Sequence, residues 1–142
     1  MKVIKFGGTS VQNAANINKA KAIIKAKASD DKVLVVVSAF GGITNKLIEV
    51  SNCAAKGDST YTHLLKEIET RHSDTVRELI TSDKQSQIIE HVKIQLQDFG
   101  DILHGIFLLQ ELSKRTLDMV MSFGERLSAF IIAQSLKDAE AN

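Results

Sequence analysis

The sequence predicts an α/β fold: a parallel β-α-β unit with a helical hairpin set beside the sheet. Three observations carry this. Lys2-Val3-Ile4-Lys5-Phe6 reads as a short strand that stops at Gly7-Gly8. Val33-Leu34-Val35-Val36-Val37 is a continuous, mostly β-branched run, apolar on both faces as in a central parallel strand. A helical pattern over 11–28 separates the two, which makes the connection a right-handed crossover.

The first strand opens the chain and runs over residues 2–6. The helix over 11–28 places Ile17, Ala20 and Ile24 on one face and lysines on the other, with Thr9 or Ser10 as its N-cap. Asp30-Asp31 breaks it. After the second strand, Ser38-Ala39-Phe40-Gly41-Gly42-Ile43-Thr44-Asn45 repeats the logic of the opening: a strand, a hydroxyl, paired glycines, then a helix over 44–56 capped by Thr44 and closed by Gly57. Residues 58–81 and a second long segment starting at Ser82 or Asp83 carry apolar stripes at helical spacing, and together read as an antiparallel hairpin. Gly100 and Gly105 either weaken the second helix or permit close packing. From Thr116 to Lys137 the helical pattern is interrupted at Ser122-Phe123-Gly124-Glu125-Arg126. Gly124 is the expected break, and Glu125 stands near the start of the final helix, where the dipole favours a carboxylate.

Composition bounds the function. The chain has 142 residues, 44% hydrophobic and 25% charged, with 18 basic and 17 acidic side chains for a net charge of +1. That is an ordinary globular balance, with nothing to favour nucleic acid or an anionic membrane as partner. Cys53 is the single cysteine, so no internal disulfide forms, which fits a reducing compartment such as the cytoplasm. It lies in a helical stretch and reads as a small buried hydrophobe before it reads as a nucleophile. No signal-peptide pattern precedes the first strand, and the apolar runs are short of a membrane span. Proline is absent. With two strands in view and a sheet needing more, a third strand is expected after Asn142, making the chain an N-terminal part of a larger enzyme. His63, His72, His91 and His104 are scattered, without metal-ligand spacing, and each reads as structural or solvated. No metal site is expected.

Both glycine turns end parallel strands, and so face the crevice where open α/β sheets bind ligands. Lys5 with Gly7-Gly8 and the hydroxyls of Thr9-Ser10 suits an anion. Glycine lets backbone approach phosphate, N–H groups at a helix start point outward, and a lysine adds charge. The lysine precedes the glycines, unlike the common P-loop order. Taken alone, Lys5 reads as a solvated strand end beside a plain turn, and Glu125-Arg126 as an exposed pair at a helix start.

Together, Lys5-Phe6-Gly7-Gly8-Thr9-Ser10-Val11, Val37-Ser38-Ala39-Phe40-Gly41-Gly42-Ile43-Thr44-Asn45 and Ser122-Phe123-Gly124-Glu125-Arg126-Leu127-Ser128 resemble the aspartate kinases, of the amino-acid kinase fold. The order and approximate separations match, over essentially the whole chain. Leu103-His104-Gly105-Ile106 with Leu108-Leu109 is similar to the bifunctional aspartokinase–homoserine dehydrogenases. The resemblance implies ATP-dependent phosphorylation of the β-carboxylate of L-aspartate, the entry to lysine, threonine and methionine synthesis. It implies that Lys5 neutralises charge on the transferring phosphoryl group, and that Gly7 and Gly8 approach the phosphates. Ser38 would contact phosphate or substrate, and Thr44 and Glu125 would hold aspartate, Glu125 through the α-amino group. Arg126 matches the motif and is assigned no contact. ATP with Mg2+ is the implied cofactor, with NADP(H) only where a dehydrogenase domain follows, and the full-length enzyme is expected to be a homo-oligomer. The family's nucleotide-binding half and regulatory domains lie beyond these residues, so the chain alone is expected to be inactive. The alternatives are a glutamate or acetylglutamate kinase, against which the Ser122–Ser128 motif and the helical insertion argue, and a non-catalytic anion- or partner-binding module.

Overall fold

The computed structural model describes residues 1–81 and 83–140 and orders them β1 (Lys2–Phe6), α1 (Ala14–Ala28), β2 (Val33–Val37), α2 (Ile43–Ala55), α3 (Tyr61–Leu79), α4 (Gln85–Leu109) and α5 (Lys114–Glu140). The two strands pair in parallel, from Lys2 opposite Val33 to Phe6 opposite Val37. Ile4, Val35 and Val37 pack toward the helices, and Phe6 is buried with the core. Val3, Leu34 and Val36 are exposed, at 62%, 53% and 43%. The doubly apolar run in β2 therefore has one covered face and one open face, where the pattern alone predicts two covered faces. Lys5 pairs with Val36 in the register and lies on the open face.

The helices gather around α2, which packs against α3, α4 and α5. Ile43, Leu47, Val50 and Ala54 on α2 are fully buried. Their spacing of three and four puts one stripe at the centre of the bundle. α3 and α4 pack along one another as the expected hairpin. Gly100 of α4 sits under Leu65 of α3, where a Cβ would stand 3.2 Å from Leu65 Cδ2, so it permits close packing and does not end the helix. Gly57 takes φ +72° directly after α2, the left-handed conformation that glycine adopts at least cost. Cys53 is half-buried in α2, with Sγ 3.2 Å from Thr60 Oγ1.

Four boundaries differ from the sequence-based expectation. α1 starts at Ala14 and its N-cap is Asn13, whose Oδ1 accepts from Asn16 N at 2.9 Å. Thr9 and Ser10 instead belong to the turn that Gly7 closes. α2 starts at Ile43, with Gly42 in the N-cap position, so Thr44 lies inside the first turn. α4 starts at Gln85, and Ser82, one of the two expected starts, lies outside the described residues. α5 runs unbroken through Gly124, which leaves Glu125 in the helix interior and not near a start. A helical glycine costs about 1 kcal/mol in propensity. Burial of Val120, Phe123, Leu127, Ile131 and Ile132 on the same face outweighs it.

His72 on α3 is fully buried. Its Nδ1 lies 2.7 Å from the Ile68 carbonyl oxygen, and its ring stacks on Phe40 with centroids 5.2 Å apart. Burial, assisted by neighbouring Arg71, pushes its pKa down from 6.5 to about 4, against the raising effect of the Ile68 contact. The unfolded chain therefore binds a proton that the folded chain excludes between these values. The stabilisation is complete above pH 6.5 and is lost as pH falls toward 4, by about 3 kcal/mol in all. Denaturant titrations at pH 7, 5.5 and 4 are expected to show this decline, and His72→Phe is expected to flatten it across that window. An equal slope in the two proteins would assign the decline to carboxylates instead.

Candidate active site

The site is assembled where β1 and β2 end. In the first turn the Gly7 carbonyl accepts from Ser10 N at 3.0 Å and Val11 N at 3.3 Å. Asn16 Nδ2 donates to the Thr9 carbonyl at 2.9 Å, so α1 braces the loop that precedes it. A Cβ on Gly7 would meet nothing within 4 Å. The backbone here faces free space, as a surface approached by an anion must. In the second turn, Ser38 N donates to the Phe6 carbonyl at 3.0 Å, which continues the parallel ladder past the strands and ties the turns together. The Phe40 carbonyl accepts from Ile43 N at 3.0 Å, and Gly42 takes φ +78°, a conformation that disfavours any side chain.

The two turns touch. A Cβ on Gly8 would lie 3.6 Å from the Ala39 carbonyl oxygen, and one on Gly41 would lie 2.8 Å from Gln12 Cγ. The pairing of glycine turns read from the sequence is thus a physical contact. Gly8, Ser38 and Thr44 are half-buried, while Lys5, Gly7 and Glu125 are exposed.

Gly124 brings the third motif to this place. A Cβ there would stand 2.8 Å from Ala39 Cβ, 3.2 Å from Leu47 Cδ1 and 3.5 Å from Ile43 Cγ2. The missing side chain lets α5 press against the second turn and the foot of α2. Glu125, the next residue, is exposed on the same unbroken helix, so its position follows that of α5, not that of a helix start as expected from the sequence. The Arg126 guanidinium lies over the Phe123 ring, 4.7 Å from its centroid. That cation–π contact packs Arg126 along its own helix.

Sequence reasoning missed Arg71, and read His72 only as structural or solvated. Arg71 Nη2 donates to the Gln12 carbonyl at 3.0 Å, across 59 positions of sequence. No local spacing signals such a contact. A cleft of about 670 Å³ opens beside the turns, lined by Gln12, Asn13, Lys46, Glu67, Arg71 and Asp74 among others, and it includes none of the residues predicted for the site. Among the described residues, no group of three His, Cys, Asp or Glu is placed to hold a metal ion, and no helix is long and apolar enough to cross a membrane.

The sequence and the fold are both similar to those of known proteins. The chain is 30% identical to an aspartokinase of Candida albicans over 99% of its own length and 26% of that protein's. It is 34% identical to an aspartokinase of Schizosaccharomyces pombe, over 96% of this chain and 28% of that one. It is 28% identical to a bifunctional aspartokinase/homoserine dehydrogenase of Buchnera aphidicola, over its full length and 18% of the relative. The chain therefore spans less than a third of each. Among solved structures, E. coli aspartokinase III in complex with aspartate and ADP superposes with a TM-score of 0.81 at 27% identity, over 99% of this chain and 29% of that one. The profile of the Amino acid kinase family matches residues 1–141, and the chain belongs to that family.

Proposed function

We propose that this chain supplies the aspartate- and phosphoryl-binding side of an aspartate kinase, which transfers the γ-phosphoryl group of ATP to the β-carboxylate of L-aspartate. The observation that carries this reading is the convergence of all three motif segments at the strand ends, with Gly124 seating α5 on the Ala39 turn. Phosphoryl transfer asks for positioning and charge stabilisation, and the acceptor carboxylate is already ionised at neutral pH. Lys5 offers mobile positive charge, and Gly7 and Gly8 offer backbone with open space above Gly7. Ser38 offers a hydroxyl to phosphate or substrate. Thr44 and Glu125 orient aspartate, Glu125 by pairing with its ammonium group. ATP brings Mg2+ on its phosphates, and no carboxylate of this chain is assigned to the ion.

Residues 1–142 then form the N-terminal part of the catalytic domain of a cytoplasmic homo-oligomer, and the 142-residue polypeptide alone does not turn over. The open sheet face with Val3, Leu34 and Val36 exposed supports this, as does the share of the relatives that the chain spans. A dehydrogenase domain using NADP(H) belongs to the reading only if the full-length gene product continues like the Buchnera relative.

The test is Glu125→Gln in the full-length gene product, with ADP release as readout. A charge-assisted contact to an ammonium group contributes about 1.5–3 kcal/mol, so KM for aspartate is expected to rise roughly 10- to 150-fold while KM for ATP changes little. The preference for aspartate over succinate, which lacks the ammonium group, is expected to narrow by a similar factor. An unchanged preference would remove Glu125 from the site. Glutamate or acetylglutamate as the better acceptor would move the chain to another branch of the family.

A further inference from the structure

We infer that Arg71 and His72, consecutive on α3, are positioning residues that hold the two glycine turns in register with each other. This rests on the reading of those turns as the kinase site, and it concerns residues outside all three motif segments. The two turns leave different strands and lead into different helices, and beyond the Ser38–Phe6 hydrogen bond only the Gly8–Ala39 and Gly41–Gln12 contacts join them directly. α3 supplies the missing brace from the side. Arg71 Nη2 donates to the Gln12 carbonyl at 3.0 Å, at the exit of the first turn. Its Nη1 stands 3.8 Å from the place where a Cβ of Gly42 would be, over the second turn. One planar guanidinium therefore spans both turns, a task that suits a rigid fork better than a lysine ammonium. His72 acts on the second turn from below. Its ring stacks on Phe40 at 5.2 Å and is fixed by the contact between Nδ1 and the Ile68 carbonyl of its own helix. Phe40 in turn closes the Gly41-Gly42 turn through its carbonyl contact with Ile43 N. Arg71 is half-buried, so its loss leaves the core intact, whereas His72 is part of the core.

The experiment has two arms. In the full-length gene product, Arg71→Met is expected to raise KM for aspartate about tenfold with little change in melting temperature, and Arg71→Lys to recover only part of that loss, because an ammonium reaches one turn at a time and small misplacements of binding groups carry large kinetic costs. A variant that melts earlier with KM and kcat unchanged would overturn the inference. In the 142-residue chain, amide hydrogen exchange at Ser10, Val11, Ser38 and Ile43, whose N–H groups close and join the two turns, is expected to speed up in Arg71→Met and in His72→Ala, and to return toward wild type in His72→Phe, which keeps the stack. Unchanged exchange at these amides in Arg71→Met would overturn it equally. The second arm reads no activity. If the full-length product fails to phosphorylate aspartate while the exchange pattern holds, the kinase reading falls and the brace stands.

Discussion

Lys5→Ala is expected to lower kcat of the full-length gene product by roughly 10²–10³, the usual cost of removing one electrostatic donor from a transition state. KM for aspartate is expected to change far less. Lys5 is the penultimate residue of β1, on the open face of the sheet, just before Phe6 leads the chain into Gly7-Gly8. Its side chain has no ion pair with the described residues, and it lies in register with the exposed Val36. Removing it therefore takes nothing from the fold, and the melting temperature is expected to stay where it is. The charge acts only when phosphoryl charge shifts beside it. Neighbouring apolar surface strengthens that effect if a further part of the enzyme covers the face and excludes water. Steady-state kinetics settle the matter, for an unchanged kcat would return Lys5 to the role of a solvated strand end.

Elements with a strong local signal were legible from sequence. β1 and β2 match their expected residues, because a strand bounded by glycine or by Asp30-Asp31 has little freedom to shift. The meeting of the two glycine turns was also legible, since parallel strands deliver their carboxyl ends to one edge. Helix starts were less so. Asn13 won the N-cap from Thr9 and Ser10 because the Gly7 turn extends through Val11, and a capping side chain works only where the chain leaves extended geometry. The supposed break at Gly124 failed for a tertiary reason. The residue is there to let Ala39 and Leu47 come close, and helix propensity, worth about 1 kcal/mol, yields to that packing. Arg71 was out of reach, since its partner Gln12 lies 59 positions away, and His72 was legible only as structural or solvated, since its stack on Phe40 joins two separate elements.

Gly124→Ala separates the seat of α5 from its intrinsic helicity. Alanine improves helix propensity by about 1 kcal/mol, which alone would stabilise the protein. Against this, the new Cβ would stand 2.8 Å from Ala39 Cβ, an atom fixed to the backbone of the second turn, and 3.2 Å from Leu47 Cδ1, the end of a side chain that can swing. Overpacking of this kind costs about 1–3 kcal/mol, so the melting temperature is expected to fall or to stay level, and not to rise as propensity demands. The larger effect belongs to the site. The turn and the helix must part by several tenths of an ångström, and Glu125, the next residue of α5, moves with the helix. KM for aspartate in the full-length gene product is expected to rise about tenfold to a hundredfold, since displacements near 1 Å carry costs of that order. Ala39→Gly removes the fixed methyl that the new one strikes. In the double variant the two changes are expected to couple by about 1 kcal/mol or more, with KM returning most of the way to wild type. If the two single effects simply add, the contact between α5 and the turn does not position Glu125, and the glycine serves packing alone.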